Sequence, residues 1–157
     1  MLTVAIPGRG TLNLEYIVLD FNGTMAFDGV LLPGVQERLN LLAEKLEVHI
    51  LTADTFGTGK AACREIKGRV HILEQGRAGA KLKREFIEAL GKEKTVTVGN
   101  GTNDTLMLKE AALGIMVLGP EGASGSALAA ADVVVTDINH GLDMLLNPKR
   151  LVATLRA

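Results

Sequence analysis

Tyr16-Ile17-Val18-Leu19-Asp20-Phe21-Asn22-Gly23-Thr24 decides the reading of the chain. An apolar run stops at an aspartate, and a polar, glycine-containing turn follows at once. A buried strand looks like this when it delivers one carboxylate to the edge of a sheet. Open α/β sheets place ligands just past the carboxyl ends of their strands. Asp20 therefore reads as a nucleophile for a phosphoryl group, with later motifs serving it.

Working outward, Leu2 to Ile6 reads as a strand, Pro7 to Gly10 as a turn, and Leu12 to Leu14 as the return of a hairpin feeding Ile17 to Asp20. Phe27 to Pro33 reads as a loop with a turn at Asp28-Gly29. A helix opens at Pro33-Gly34 and runs to about Leu46, with Val35, Leu39, Leu42 and Leu46 on one face. Val48 to Leu51 is a strand ending on Thr52. A helix follows from Thr55 or Thr58 to about Ile66, then a strand from Val70 to Leu73. His49 and His71, each flanked by strand residues, read as structural. Gly76 to Gly79 is a loop, and Lys81 opens a helix that Gly91 ends. Thr95 to Val98 is a strand running into Gly99-Asn100-Gly101-Thr102-Asn103-Asp104, with a helix from Asp104 to Ala112. Leu113 to Leu118 is a strand, Ser124 caps a helix to Ala131, and Val133 to Val135 is a strand. A helix covers Gly141 to Leu146, and a helical turn follows Pro148. Strands alternating with helices predict an α/β, Rossmann-like three-layer sandwich around a central parallel sheet, with an N-terminal β-hairpin.

Composition narrows the function. The chain has 157 residues, which suits one domain over residues 1–157. Net charge is −1, so no basic surface argues for nucleic acid. Aromatics are 3% with no Trp, which disfavours base-stacking platforms. The single cysteine, Cys63, has apolar helical neighbours and reads as buried filler. The start lacks a signal-peptide pattern, and the longest apolar run, Ala111 to Leu118, falls short of the ~20 residues that span a bilayer. The expectation is a cytoplasmic protein without membrane insertion.

Three strands end in polar residues: Asp20, Thr52 and the Gly99 to Asp104 loop. In a parallel sheet these ends share one edge. Lys81, at a helix start, can reach the same edge, with Lys83 as a nearby competitor. Carboxylates, a hydroxyl, amides and an ammonium together suit Mg²⁺ plus phosphate. Singly the signals are weak: Thr52 could be a cap, Lys81 solvated surface, and Gly99 to Asp104 a turn before a capped helix.

In order, these motifs resemble the haloacid dehalogenase (HAD) superfamily, and within it the phosphorylation domain of P-type ATPases and their small soluble relatives. The family's Asp-x-Asp-Gly-Thr, or Asp-Lys-Thr-Gly-Thr in the pumps, matches Asp20-Phe-Asn-Gly-Thr24. Its strand ending in Thr or Ser matches Ile50-Leu51-Thr52, its lysine before a helix matches Lys81, and its Gly-Asp-Gly-x-Asn-Asp matches Gly99-Asn-Gly-Thr-Asn-Asp104. The resemblance implies a Mg²⁺-dependent phosphohydrolase in which Asp20 becomes an acyl phosphate, splitting one displacement into two easier ones. It implies metal ligation by Asp20, the Asn22 carbonyl, Asn100 and Asp104. It implies phosphate binding by Gly23, Thr24, Thr52, Ala53, Lys81 and Asn103.

Two family carboxylates are amides here, Asn22 and Asn100. An amide at 22 cannot serve as general acid–base, a loss of roughly 10²- to 10⁴-fold. Slow turnover favouring good leaving groups is expected, and Asn100 would lend magnesium an uncharged oxygen. Both amides precede glycine, the pairing most prone to deamidation in flexible chains. The intervals from Gly23 to Thr52 and from Thr52 to Lys81 are filled by assigned elements, so no cap domain is expected. Such a site would take a phosphorylated small molecule or a phosphoprotein, or close as a homo-oligomer. A regulatory or phosphate-binding protein that has lost turnover is the competing reading.

Overall fold

The computed structural model describes residues 1–54 and 57–157. Strands β3 (Tyr16–Asp20), β6 (Glu47–Thr52), β7 (Arg69–Ile72), β8 (Thr95–Gly99), β9 (Leu113–Val117) and β10 (Val133–Val135) form one sheet in the order β10-β9-β8-β3-β6-β7. Every neighbouring pair in it is parallel. β3 lies in the middle, with Asp20 opposite Leu51 of β6. A central parallel strand is covered on both faces, which is why Ile17, Val18 and Leu19 form an unbroken apolar run rather than an alternating one.

Side chains leave the two faces of the sheet for two apolar layers. Ile17, Leu19, Val48, Ile50, Val96 and Ile115 pack with α1 (Val35–Leu42) and α6 (Ile138–Leu146). The hairpin of β1 (Leu2–Ile6) and β2 (Gly10–Leu14) joins this layer through Leu2, Val4, Ile6 and Leu14. On the other face Val18 and Leu51 meet Ile87 of α3 (Gly79–Leu90) and Met107 of α4 (Thr105–Glu110). Met116 meets Ala127 of α5 (Gly125–Ala130). This is the three-layer α/β sandwich, and Cys63 is buried at the end of α2 (Thr58–Ala62).

Several boundaries differ from the sequence reading. The segment after Phe21 is not a plain loop: β4 (Ala26–Phe27) and β5 (Val30–Leu31) pair antiparallel around Asp28 and Gly29, both at positive φ. That is the geometry a two-residue hairpin turn demands. α1 and α2 end earlier than expected. α2 begins at Thr58; the alternative start, Thr55, lies outside the described residues. α3 begins two residues before Lys81. α6 begins three residues before Gly141, because the Asp137 side chain accepts the Asn139 N–H and caps it. α7 (Pro148–Leu155) is a full helix with proline in its first turn.

His49 and His71 are structural, as their strand positions suggested. They face each other across β6 and β7, Nδ1 to Nε2, at 3.0 Å, and Phe86 covers both rings. One nitrogen must donate and the other accept, so protonating the accepting ring breaks the pair. Burial lowers the pKa of both residues below 6.5. Their contribution to stability is therefore complete above pH 6.5 and lost as pH falls below it. The melting temperature should drop on acidification from pH 7.5 to 5, with a shallower slope in His71→Gln. A slope that the substitution leaves unchanged would contradict this.

Candidate active site

β3 carries Asp20 to the carboxyl edge of the sheet, and the chain then folds back tightly. The Phe21 carbonyl accepts the N–H groups of Thr24, Met25 and Ala26, while Gly23 N–H donates to Ala26. Gly23 has φ 79°, and a Cβ there would stand 2.6 Å from Asn100 Nδ2. Conformation and space both require glycine.

Asp20 is only 8% exposed. Its Oδ1 accepts a 2.7 Å bond from Lys83 Nζ, and the same ammonium donates 2.6 Å to Asp104 Oδ1. Lys83 is 2% exposed. Lys81, the lysine expected at the site, is exposed, so Lys83 takes that place. The reason is helical phase. Lys83, Ile87 and Leu90 recur at i, i+4 and i+7, the spacing of one helix face, and that face meets the sheet. Lys81 lies two residues away, about 200° around the axis. The i, i+4, i+7 signal was present in the sequence, but it requires the apolar face of α3 to be read before the lysine is chosen.

Asp104 is fully buried. Its Oδ2 accepts the N–H groups of Asn100 and Gly101 at 2.9 and 3.0 Å. A side chain at Gly99 would collide with this carboxylate. Asp104 thus has both oxygens engaged, Oδ1 by Lys83 and Oδ2 by its own loop. Thr24 Oγ1 stands 3.3 Å from Asp20 Oδ2 and 3.2 Å from Asn100 Oδ1. Asn100 Nδ2 donates to the Gly122 carbonyl at 3.1 Å. Thr52 is buried beside Asp20's strand, and its hydroxyl accepts the Asp54 N–H at 3.1 Å.

A hollow of about 690 Å³ opens over this edge. Asp20, Asn22, Ala53, Lys83, Asn100 and Asn103 line it, whereas Thr52, Thr24 and Asp104 do not. Glu74, Gln75 and Arg77 form its far wall, a side that motif reading missed because loop residues between β7 and α3 carry no motif. Arg77 is paired with Glu85 at 3.2 Å.

Burial, then the negative charge of Asp104, push the Asp20 carboxyl up to about 7, against the pull of Lys83. Burial works against the Lys83 ammonium, but the two carboxylates outweigh it and hold its pKa above the usual lysine value. The donors at the sheet edge of the hollow, the Asp20 carboxylate with oxygens of Asn22 and Asn100, suit a hard cation that keeps much of its water; Glu74 adds a second carboxylate on the far wall. Among the described residues no three His, Cys, Asp or Glu side chains form a closed metal cage. Deamidation of either amide needs attack by the following N–H. Gly23 N–H is bonded to Ala26, and Gly101 N–H to Asp104, so the folded state opposes both.

No family model matches the chain. An uncharacterized protein of Methanocaldococcus jannaschii is 52% identical over 81 residues, 49% of this chain and 85% of that protein. A soluble P-type ATPase-like phosphatase of the same organism is 32% identical over 124 residues, 77% of this chain and 45% of its own length. Among solved structures, a Streptomyces avermitilis protein described as a HAD-family hydrolase aligns with TM-score 0.66 and 22% identity, over 92% of this chain and 85% of that one. The 3-deoxy-D-manno-octulosonate 8-phosphate phosphatase of Moraxella catarrhalis, in complex with magnesium, phosphate and the sugar acid, aligns with TM-score 0.66 and 18% identity, over 92% of this chain and 95% of that one. The fold is the HAD fold. With these relatives and its motifs, the chain belongs to the HAD superfamily.

Lys83→Met leaves two buried carboxylates facing each other and should cost about 3–5 kcal/mol of stability. Lys81→Met should change it by less than about 0.5 kcal/mol. In metal-free protein the Asp20 carboxyl carbon should titrate near 7 by NMR, and higher still in Lys83→Met. Equal costs at the two lysines, or an ordinary Asp20 midpoint, would contradict the site as described.

Proposed function

We propose that the chain is a Mg²⁺-dependent phosphohydrolase that carries the phosphoryl group on Asp20. One observation carries this reading: a carboxylate facing the hollow, on Asp20, is buried at the centre of the sheet edge and held by a buried ammonium. The soluble P-type ATPase-like phosphatase among its relatives supports it, as does the magnesium and phosphate complex of a protein with the same fold.

Asp20 Oδ2 attacks phosphorus, and the leaving oxygen departs with its bonding pair. Lys83 holds Oδ1, which leaves Oδ2, beside the Thr24 hydroxyl, as the attacking oxygen. Burial keeps the nucleophile poorly solvated. The main chain at Ala53 and the Asn103 side chain, which line the hollow, receive the phosphoryl oxygens. Water then attacks the phosphorus of the acyl phosphate, releasing phosphate and restoring the carboxylate. Magnesium, held by Asp20 and the Asn22 carbonyl, would offset the charge between carboxylate and phosphoryl oxygens. Asn22 cannot protonate a leaving group, so substrates that leave as stable anions are favoured. The substrate is a phosphorylated small molecule of a size the hollow admits, approached without a cap domain.

The test compares wild type with Asp20→Asn in Mg²⁺, using acetyl phosphate, p-nitrophenyl phosphate and glycerol phosphate. Slow turnover of the first two is expected, at least about 10²-fold faster than of the alkyl ester, and lost in the variant. Fast hydrolysis of the alkyl ester would contradict the role given to Asn22. Phosphate binding without turnover of any ester would favour a regulatory protein instead.

A further inference from the structure

The Asn100 amide is held at both ends by groups that can be read chemically. Its Nδ2 faces the Gly122 carbonyl at 3.1 Å, and a carbonyl can only accept. Its Oδ1 faces the Thr24 hydroxyl at 3.2 Å, which has a proton to give. The amide orientation is therefore dictated by its partners, with donor toward Gly122 and acceptor toward Thr24. A carboxylate could satisfy only one end: its second oxygen would face the Gly122 oxygen, acceptor against acceptor. The main chain at Asn100 is committed in the same direction, since its carbonyl accepts the Ser124 N–H at 2.9 Å. Three turns meet at this side chain: Asn22 to Thr24 after β3, Gly99 to Gly101 after β8, and Gly119 to Gly122 after β9. They are packed closely, because a Cβ at Gly23 would overlap Nδ2 and one at Gly119 would touch the Gly23 carbonyl at 3.5 Å.

We propose that Asn100 is a positioning residue that clamps the Gly119–Gly122 turn onto the turn following Asp20, and that this place requires an amide rather than a carboxylate. The departure from the family motif is then a change of role, from charge supplied to a cation to a bridge between loops. The bridge also bears on the nucleophile. Thr24 has one hydroxyl proton and two acceptors within reach, Asp20 Oδ2 and Asn100 Oδ1. The two acceptors share that donor, so Asn100 fixes where the Thr24 hydroxyl stands beside Oδ2, the oxygen that attacks phosphorus; this last consequence rests on the phosphohydrolase reading.

The experiment measures amide hydrogen exchange in Asn100→Ala and Asn100→Asp, both in saturating magnesium chloride so that added charge is compensated. Gly122 and Ser124 should lose at least about tenfold in protection in both variants. Leu118, whose N–H donates to Val135 on the neighbouring strand, should be unchanged and serves as internal reference. On acetyl phosphate, kcat should fall about tenfold with KM within about twofold, the pattern of a group acting on the nucleophile rather than on substrate affinity. Wild-type protection in Asn100→Asp together with a raised kcat would overturn the proposal and make Asn100 a weakened metal ligand. Absence of turnover in wild type would count against the phosphohydrolase reading alone, because the exchange measurement decides the clamp without it.

Discussion

One ammonium shared by two buried carboxylates holds this end of the molecule together. Lys83 reaches Asp20 at 2.7 Å and Asp104 at 2.6 Å from a position that solvent barely touches. Three charges in a low-dielectric setting are tolerable only when each is paired and hydrogen-bonded. The surroundings meet that demand. Asp104 takes two backbone N–H groups on its second oxygen, and Thr24 stands near the second oxygen of Asp20. The arrangement still carries one more negative charge than positive, and burial of that excess raises the Asp20 pKa.

The parallel sheet explains how these groups come to one place. β3 lies between β6 and β8, so the turn after Asp20, the Thr52 to Asp54 bend and the Asn100 loop emerge side by side. α3 then crosses the opposite face with Lys83 directed beneath the edge. Each loop is stiffened by its own residues: positive φ at Gly23, the Thr52 hydroxyl accepting from Asp54, and Asp104 binding two amides of its own turn. What remains open is the hollow, whose near wall holds Asp20 and Lys83 and whose far wall is Glu74, Gln75 and Arg77.

The alternation of strands and helices was legible because apolar strands ending on Asp, Thr or Gly are separated by helical periodicity. Asp20 was legible for the same reason: a charge that ends a continuous apolar run has nowhere to go but the sheet edge. The lysine motif points to Lys81 at the helix start, whereas the sheet-facing side of α3 is set by Ile87 and Leu90, whose phase Lys83 shares and Lys81 does not. Asp104 was placed at the right edge, but its carboxylate turned toward its own backbone, a detail that no motif encodes. The far wall was invisible because Glu74, Gln75 and Arg77 belong to a loop whose course is set by the ends of β7 and α3. The role of Asn100 needed coordinates, since only the Gly122 carbonyl reveals which end of the amide matters.

The account turns on whether Asp20 accepts phosphorus. The protein mixed with acetyl phosphate and Mg²⁺, quenched in acid and mapped by mass spectrometry, answers this directly. The account predicts one phosphoryl group on the peptide containing Asp20, removed by hydroxylamine and absent from Asp20→Asn. A phosphoryl group on a serine or threonine, or one that persists in that variant, would contradict it.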